Sequence, residues 1–569
     1  MTTPATTSRT QNADVSIPLD MLLTQASLGM KSRAVPFRST LAFGTALAKR
    51  PRRVAARAGT LGAELGRIAV GGSKVAPSSR DKRFADPAWS ENPALKRVVQ
   101  TYLAAAACAE GLAQDVPMDW QDAERVRFAV SGIVEALSPS NNPLTSPLAW
   151  KAAIDTGGLS IYRGLRNAVS DLATAPRIPK MVDTSSFTLG ENLGASEGAV
   201  VLRTPVFELI QYTPQTGTVR TEPLLIVPPS INKYYVLDLS PDRSMIRHLV
   251  ESGQQVFVMS WRNPDARHSK WGVDVYVQSI LDAMAAVRGI TDTTSTHLMA
   301  ACSGGILASM TSSYLEQTGR LDELASLTLL VTVLDQSRGG TTSAFVDETV
   351  AAAAVAASRR KGYLDGKQLA EIFAWLRPSD LVWNYVVSNW LQGKQPPAFD
   401  ILAWNADTTR MAARLHADFL QIAMSNGLTR PGGTSALGTE IDLQKVTVDS
   451  YVVAGVADHL CRWQNCYQST QMLGGKSRFI LSTNGHIAAL VNPPSNPKSS
   501  YLAQDDAVKP STSAEEWQAG AEQKQGSWWP DYVAWLTERS GEEKPAPTEL
   551  GSAVHKVLEA APGSYVLDA

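Results

Sequence analysis

Cysteine is scarce in this chain of 569 residues, which contains only four: Cys108, Cys302, Cys461 and Cys466. So few cysteines in so long a chain exclude a disulfide framework, and the spacing of the last two near His459 is not that of a zinc site. Scarce cysteine fits a reducing cytoplasm, which would also keep a nucleophilic thiol active. We therefore expect a cytoplasmic protein with no structural metal.

Long apolar runs and an excess of one charge are also missing. No uninterrupted apolar stretch approaches the roughly 18 residues of a membrane-spanning helix, and the first residues lack a signal-peptide pattern. The formal net charge is −1, which argues against nucleic-acid binding as the main activity. Neither a phosphate-binding loop nor a dinucleotide motif occurs, so we expect no bound cofactor. The 44% hydrophobic and 19% charged residues that are present indicate a globular protein with an ample core.

The stretch from Ser295 to Leu315 has the layout of a nucleophile elbow. A short apolar run, a small-residue turn and a helical pattern follow one another, with Cys302 at the apex. In such an elbow a strained turn exposes the nucleophile, and the backbone N–H of the next residue, here Ser303, contributes to an oxyanion hole. Gly304 and Gly305 carry no side chain that could collide where helix and strand cross. For this stretch alone, a buried cysteine on a small-residue turn is the alternative.

Two β-rich runs downstream lead to residues that would complete a catalytic triad. A run from Tyr451 to Gly455 is followed by Asp458, and a run from Phe479 to Ser482 is followed by His486. The order nucleophile, acid, histidine is that of α/β-hydrolases, and strand ends are where sites assemble in open α/β sheets. His459 is a rival base, but as a neighbour of Asp458 it should point in a different direction.

With these motifs in place, the chain resembles the polyhydroxyalkanoate synthases of the single-subunit classes I and II, and most of all the class II, medium-chain-length enzymes. The family's Gly-x-Cys-x-Gly-Gly box corresponds to residues 300–305, its Asp-His-Ile motif to Asp458-His459-Leu460 and its Gly-His-Ile motif to Gly485-His486-Ile487. Further shared motifs are Phe84-Ala-Asp-Pro-Ala-Trp89, Pro228-Pro-Ser-Ile-Asn-Lys233, Ser260-Trp-Arg-Asn-Pro264, Phe373-Ala-Trp-Leu-Arg-Pro-Ser-Asp380 and Asn492-Pro493-Pro494. The resemblance therefore extends from about residue 80 almost to the end of the sequence.

The resemblance implies an acyltransferase that polymerises (R)-3-hydroxyacyl-CoA into a polyester and releases CoA through an acyl-cysteine intermediate. It implies Cys302 as nucleophile, His486 as general base, and Asp458 as the acid that orients His486 or assists deprotonation of the hydroxyl. A thiol suits this reaction because an acyl-cysteine lies at nearly the same energy as an acyl-CoA thioester. The family further implies a homodimer at polyester granules in the cytoplasm, with CoA as part of the substrate rather than a cofactor.

Two positions depart from the family pattern. Ala300 replaces the first glycine of the box and adds a methyl group beside the elbow, which is expected to tighten or strain the turn. Cys461-Arg462 replaces the usual Thr-Pro or a similar pair before Trp463, and we expect this change to leave the chemistry unaffected.

Composition and periodicity divide the chain into three parts. Residues 1–80 form a polar and basic segment, partly disordered, whose amphipathic helix pair would either attach to a polymer granule or be a solvated basic tail. Residues 81–198 are helical. Residues 199–569 alternate strands and helices and predict an α/β-hydrolase domain, interrupted at about 336–446 by an aromatic-rich insertion that we interpret as a cap. A backbone N–H of Ser230–Asn232, after a predicted strand, is expected as second oxyanion donor; the alternative is a proline-stiffened turn.

Two other functions are compatible with the same residues. A thioesterase or polyester depolymerase would use the same triad to transfer the acyl group to water, although cysteine rather than serine at position 302 argues against hydrolysis. A non-catalytic granule-binding paralogue would fit Ala300 and the basic N-terminal segment. Free hydroxy acid among the products would favour the hydrolase, whereas granule attachment without CoA release would favour the paralogue.

Overall fold

The structure, a computed structural model, describes residues 23, 37–79, 81–336, 348–376, 378–458 and 460–568. Its N-terminal region is helical, as predicted. The α-helices there are α1 (Phe37–Ala48), α2 (Pro51–Ala69), α3 (Pro93–Asp115), α4 (Trp120–Ala136), α5 (Pro147–Asp155) and α6 (Leu159–Ala173), with one further helical turn at Ala88–Glu91. The predicted amphipathic pair is α1 and α2, which pack on α4 and α3 respectively.

The apolar spacing over residues 147–172 predicts a continuous helix, yet the structure divides it into α5 and α6. Gly157 and Gly158 separate the two helices with φ of +59° and +89°, values that favour glycine because it has no Cβ. The Gly158 N–H donates to Ala153 O at 2.7 Å and ends α5. Hydrophobic spacing did not reveal this break because each helix keeps its own three- and four-residue repeat.

An 11-stranded mixed sheet forms the centre of the remaining chain. Its strands are β1 (Gly198–Arg203), β2 (Phe207–Tyr212), β3 (Leu224–Val227), β4 (Val256–Trp261), β5 (Thr296–Ala301), β6 (Leu324–Leu330), β7 (Ser450–Gly455), β8 (Ser477–Ser482), β9 (Ser500–Ala503), β10 (Glu522–Gln525) and β11 (Glu559–Ala560). In space they follow the order β10-β9-β8-β7-β6-β5-β3-β4-β2-β1-β11. The six neighbouring strands β8, β7, β6, β5, β3 and β4 pair in parallel. The outer pairings are antiparallel.

Helices follow most of the strands and enclose the sheet. They are α7 (Met245–Glu251), α8 (Val273–Thr291), α9 (Ser303–Gln317), α10 (Glu348–Lys361), α11 (Gly366–Leu376), α12 (Asp400–Ala406), α13 (Ala413–Ser425), α14 (Trp463–Met472), α15 (His486–Val491), α16 (Ala514–Ala519) and α17 (Trp529–Thr537). Two-stranded ladders pair Thr218–Arg220 with Glu543–Pro545, Tyr363–Leu364 with Met411–Ala412, and Ser435–Ala436 with Thr439–Glu440. Across the described ranges, no helix combines the length and apolarity needed to cross a membrane.

The alternation of side chains along each strand divides the core into two apolar layers. In β5, Leu298 and Ala300 belong to one layer, whereas Met299 and Ala301 belong to the other. Helices α8, α9, α13 and α14 cover the first layer, and α7, α15 and α17 cover the second. A largely parallel sheet buried on both faces confirms the predicted α/β class.

The described part of the insertion between β6 and β7 contains α10 to α13, two of the short ladders and two π-helices, Ser379–Trp383 and Val386–Leu391. Its tryptophans are packing residues. Trp375, Trp383 and Trp390 form a separate apolar cluster that includes Ile178 and Met181 from the segment after α6. These aromatic side chains therefore join the insertion to the segment after α6.

The second π-helix packs directly on α6 of the N-terminal region. Asn167 Nδ2 donates to Asn389 O at 3.1 Å, and Trp390 Nε1 donates to Asp171 Oδ2 at 2.8 Å. Gly164 permits this close approach, because a Cβ there would overlap the carbonyl oxygen of Trp390. Helix α6 thus anchors the second π-helix of the insertion.

Candidate active site

Cys302 lies at the sharp turn between β5 and α9. Its backbone has φ 50° and ψ −120°, a conformation that non-glycine residues rarely adopt. The Cys302 N–H donates to Leu330 O at 2.9 Å, which ties the strained turn to the end of β6. The side chain is partly exposed. Cys302 therefore lies at the carboxyl edge of the parallel strands, where the sequence predicts the nucleophile.

Gly304 and Gly305 occupy the positions where α9 approaches the neighbouring loops most closely. A Cβ on Gly304 would lie 2.5 Å from Pro228 O and 2.8 Å from Val227 O, and a Cβ on Gly305 would overlap the Thr332 side chain. The clash at Gly304 is with backbone, which cannot rotate away. Close approach, rather than an unusual φ, is thus the reason for glycine at both positions.

Ala300, which stands where the resembled family has glycine, is an ordinary strand residue. It lies within β5, opposite Val227 on one side and Leu329 on the other. Its side chain is fully buried in an apolar layer, and it is not among the non-glycine residues with positive φ in the described chain. The expected strain does not arise at Ala300, because its methyl group fills core space while the strained turn begins at Cys302.

The loops after β7 and β8 bring Asp458 and His486 together. The His486 Nδ1–H donates to Asp458 Oδ2 at 2.7 Å, and both side chains are buried. The other carboxylate oxygen, Asp458 Oδ1, accepts the N–H groups of Leu460 and Cys461 at 2.8 and 3.0 Å. The carboxylate is thus fixed by its own turn, with Oδ2 directed to the imidazole. His459, the rival base, lies outside the described residues.

Backbone contacts hold these two loops in register. The N–H of Val456 donates to Ser482 O at 2.7 Å, and the N–H of Ala457 donates to Asn484 O at 3.1 Å. A Cβ on Gly455 would lie 2.5 Å from Asn484 O, so a larger residue at this position would push the loops apart. Because the loops follow neighbouring parallel strands, their contacts place the acid and the histidine side by side.

Asp458 makes His486 a stronger base. Burial alone would lower the pKa of His486, but the charge and hydrogen bond of Asp458, with a smaller contribution from Cys302, raise it to about 10. Since Nδ1 faces Asp458, the contact with the Cys302 thiol uses Nε2. A hydrogen bond with the Cys461 thiol, together with burial, raises the pKa of Cys302 well above its usual value, while His486 opposes the rise. The thiol must therefore pass its proton to the unprotonated form of His486 before it can attack.

Cys461 is the site residue that sequence reasoning missed. Its thiol contacts Cys302 on one side and Cys466 on the other. Asp458, Cys461 and His486 each present a donor atom within 4.8 Å of the others, a set that could hold a metal ion, although Asp458 and His486 already bond to each other. The sequence carried a signal, since Cys461 replaces the family's threonine three residues after Asp458. It carried no distance to Cys302, which belongs to a different loop.

Ser303 links the elbow to the loop that follows β3. Its Oγ accepts the Ser230 N–H at 3.0 Å and lies 3.1 Å from Ser230 Oγ. The Ser230 N–H is therefore engaged and unsuitable as an oxyanion donor. Of the predicted segment Ser230–Asn232, the N–H groups of Ile231 and Asn232 are left as candidates. The Ser303 N–H lies in the first turn of α9, where helical N–H groups have no intrahelical acceptor. It remains available beside the Cys302 thiol.

Two family models match overlapping parts of the chain. Residues 80–249 match the model described as the N-terminus of poly-beta-hydroxybutyrate polymerase (PhaC). Residues 223–493 match the model of the alpha/beta hydrolase fold. The second match covers β3 to β8 with all three triad candidates and confirms the predicted α/β-hydrolase fold.

Curated relatives are similar along nearly their whole length. Poly(3-hydroxyalkanoate) polymerase 2 of Ectopseudomonas oleovorans is 44% identical over 507 residues, which are 89% of this chain and 90% of the relative. Poly(3-hydroxyalkanoate) polymerase 1 of the same organism is 43% identical over 518 residues, 91% of this chain and 92% of the relative. The poly(3-hydroxyalkanoate) polymerase subunit PhaC of Cupriavidus necator is 39% identical over 506 residues, 88% of this chain and 85% of the relative.

Proposed function

The chain belongs to the poly(3-hydroxyalkanoate) polymerase family, and we propose that it joins (R)-3-hydroxyacyl groups from their CoA thioesters with Cys302 as nucleophile, His486 as base and Asp458 as its orienting partner. It is thus an acyltransferase that makes a polyester. The single observation that supports the residue roles is the hydrogen bond between His486 and Asp458 beside the Cys302 thiol.

In the loading step, His486 Nε2 takes the proton of Cys302 and the thiolate attacks the thioester carbonyl carbon. The tetrahedral intermediate collapses with cleavage of the bond to CoA sulfur, and His486 returns the proton to the departing CoA thiolate. One thioester replaces another, so the step is close to reversible. Asp458 assists because its negative charge stabilises the imidazolium that forms on His486.

In the transfer step, the 3-hydroxyl group of a second substrate attacks the acyl-cysteine. His486 removes the hydroxyl proton as the new C–O bond forms and donates it to Cys302 sulfur as the C–S bond breaks. The product is an oxygen ester one unit longer, with the free thiol restored. Because an oxygen ester is less reactive than the thioester it replaces, this step favours chain growth.

Two backbone N–H groups would stabilise the negative oxygen of each tetrahedral intermediate. The first is that of Ser303, at the start of α9. For the second we propose Ile231, because the Ser230 N–H is taken by Ser303 Oγ and no hydrogen bond from the Ile231 N–H is found among the described residues. Ile231 is buried in the loop after β3.

CoA release and polymer formation test the proposed function together. Wild type and Cys302→Ala would be given 3-hydroxydecanoyl-CoA or 3-hydroxybutyryl-CoA, and the products examined for polymer and for free acid. We expect CoA and polymer from wild type only. Release of CoA with free hydroxy acid would make the protein a hydrolase, and full turnover by a folded Cys302→Ala variant would end the proposed role of the thiol.

The base is tested by a matched pair of histidine variants. His486→Gln removes the imidazole that bonds to Asp458, so we expect CoA release to be lost while the fold is kept. His459→Gln serves as the control, because it changes the neighbouring candidate alone. Wild-type rates for His486→Gln together with loss in His459→Gln would reverse the assignment.

Two further features of the function are proposals. The class II resemblance favours medium-chain substrates, which the comparison of decanoyl and butyryl substrates decides. We also propose that no resident cofactor takes part, so that dialysis against a chelator leaves the rate of CoA release unchanged. A rate that falls on dialysis and returns with a metal ion would contradict this.

Attachment to polyester granules is proposed from an exposed apolar stripe on α6. Ile161, Tyr162, Leu165, Val169 and Leu172 are each more than half exposed. These residues recur at three- and four-residue spacing and so share one face of the helix. Leu165→Ser with Val169→Ser should reduce co-sedimentation with polyester particles while transfer from dissolved substrate continues. The family also suggests a homodimer, which light scattering of the purified protein would test.

A further inference from the structure

Three thiols form a continuous series of contacts at the candidate active site. Cys302 shares a side-chain hydrogen bond with Cys461, and Cys461 shares another with Cys466. All three are free cysteines. Cys461 Sγ also lies within 4.8 Å of donor atoms of Asp458 and His486. Two thiols and one strong base therefore meet in one small volume, an arrangement that the acyl-transfer steps do not use.

Exposure distinguishes the members of this series. Cys302 and Cys461 are partly exposed, whereas Cys466 is fully buried on α14. A small reagent that enters from solvent would therefore reach the first two thiols, and Cys302 is the one in contact with the base His486. Because only a thiolate reacts with peroxide and the pKa of Cys302 is raised, the reaction requires His486 to accept the proton of this thiol. Cys461 occupies the position of a resolving thiol next to it.

We propose that Cys302 and Cys461 are a reversible oxidation site, at which a hydroperoxide converts the two thiols into an intramolecular disulfide that blocks acyl loading and prevents irreversible oxidation of Cys302. The two thiols share a side-chain hydrogen bond, and an S–S bond of about 2.05 Å requires their sulfur atoms to approach further. Both residues lie on loops at strand ends rather than within the sheet. The effect on activity rests on the proposed role of Cys302, whereas formation of the disulfide does not.

The reaction takes place in two balanced steps. The Cys302 thiolate attacks one oxygen of hydrogen peroxide, the O–O bond breaks, and the departing hydroxide takes the proton that His486 removed from the thiol, which leaves a sulfenic acid and water. The Cys461 sulfur then attacks the sulfenic sulfur, the S–O bond breaks, and hydroxide leaves with the Cys461 proton as a second water. Two thiols thus lose two electrons to one peroxide. A small dithiol reductant reverses the change.

The residue at position 461 provides the second thiol of the proposed site. The resembled family has threonine there, and a hydroxyl group cannot form a disulfide. Cys461→Thr therefore places the family's usual residue at this position and removes only the resolving thiol. Cys466→Ser is the matched control, because it removes the buried thiol that contacts Cys461 from its other side.

The test treats purified wild type, Cys461→Thr and Cys466→Ser with hydrogen peroxide in the presence of a chelator, and compares each protein with its own untreated activity. Wild type and Cys466→Ser should lose CoA release, lose two hydrogen atoms by intact mass, yield a Cys302–Cys461 linked peptide and recover with dithiothreitol. Cys461→Thr should gain oxygen atoms on Cys302 and remain inactive after dithiothreitol, because sulfinic and sulfonic acids are not reduced by thiols.

Several results would overturn the inference. One is a wild-type protein that gains oxygen atoms instead of forming a disulfide, and another is a linked peptide that joins Cys461 to Cys466. The third is a Cys461→Thr protein that recovers CoA release with dithiothreitol as fully as wild type. Inactivation that occurs only when the chelator is omitted would identify a metal at the Asp458, Cys461 and His486 donors as the cause. A Cys302–Cys461 disulfide without loss of CoA release would support the oxidation site but refute Cys302 as the nucleophile.

Discussion

The substitution Gly304→Ala probes how closely the elbow must approach the loop after β3. The added Cβ would lie 2.5 Å from Pro228 O, so that oxygen or the elbow must withdraw by about 0.9 Å to reach an ordinary 3.4 Å contact. Such overpacking costs roughly 1–3 kcal/mol, and a backbone obstacle places this site at the upper end. Because the same loop carries the proposed Ile231 donor, a displacement near 1 Å should also lower kcat by about 100-fold.

The assay combines thermal unfolding with the rate of CoA release, and Gly289→Ala is the control. Gly289 lies on the exposed face of α8, where a Cβ would meet no atom within 4 Å. Alanine there should stabilise the helix by up to about 1 kcal/mol and leave the rate unchanged. A Gly304→Ala protein with the unfolding midpoint and kcat of wild type would refute the argument from close approach.

Three other predictions follow from the same contacts. Asp458→Asn removes the charge that raises the pKa of His486 to about 10, so kcat/KM for CoA release should fall by about three to four orders of magnitude; a loss of less than about tenfold would contradict the assignment. The folded pKa of His486 exceeds the value of about 6.5 for an unfolded histidine, so the pair stabilises the fold fully below about pH 6.5 and this stabilisation is lost as the pH rises towards 10. Unfolding midpoints of wild type and Asp458→Asn should converge over that range, whereas a constant gap would disprove the linkage. Gly164→Ala places a Cβ against the Trp390 carbonyl and should speed proteolysis of the insertion relative to Gly132→Ala, where a Cβ meets nothing within 4 Å; equal rates would show that this contact does not hold the insertion.

Local features of the chain could be predicted from the sequence because they depend on residues that are close together in the chain. The alternation of apolar runs and helical spacing predicted the α/β class, and the small residues around Cys302 predicted a turn whose φ is indeed positive. Cys302, Asp458 and His486 each follow a predicted strand, and this predicted that they lie close together, since the ends of parallel strands share one edge of a sheet. For the same reason the structure finds Asp458 and His486 bonded at 2.7 Å.

Tertiary structure decided what depends on loops meeting across the fold. Sequence spacing could not show that Ser303 Oγ occupies the Ser230 N–H, that the tryptophans of the insertion pack on the N-terminal region, or that Ala300 lies unstrained within β5. Nor could it show that Cys461 contacts Cys302. Spacing determines which face of a strand or helix a side chain occupies, whereas contacts between loops far apart in the chain depend on the path that each loop takes after leaving the sheet.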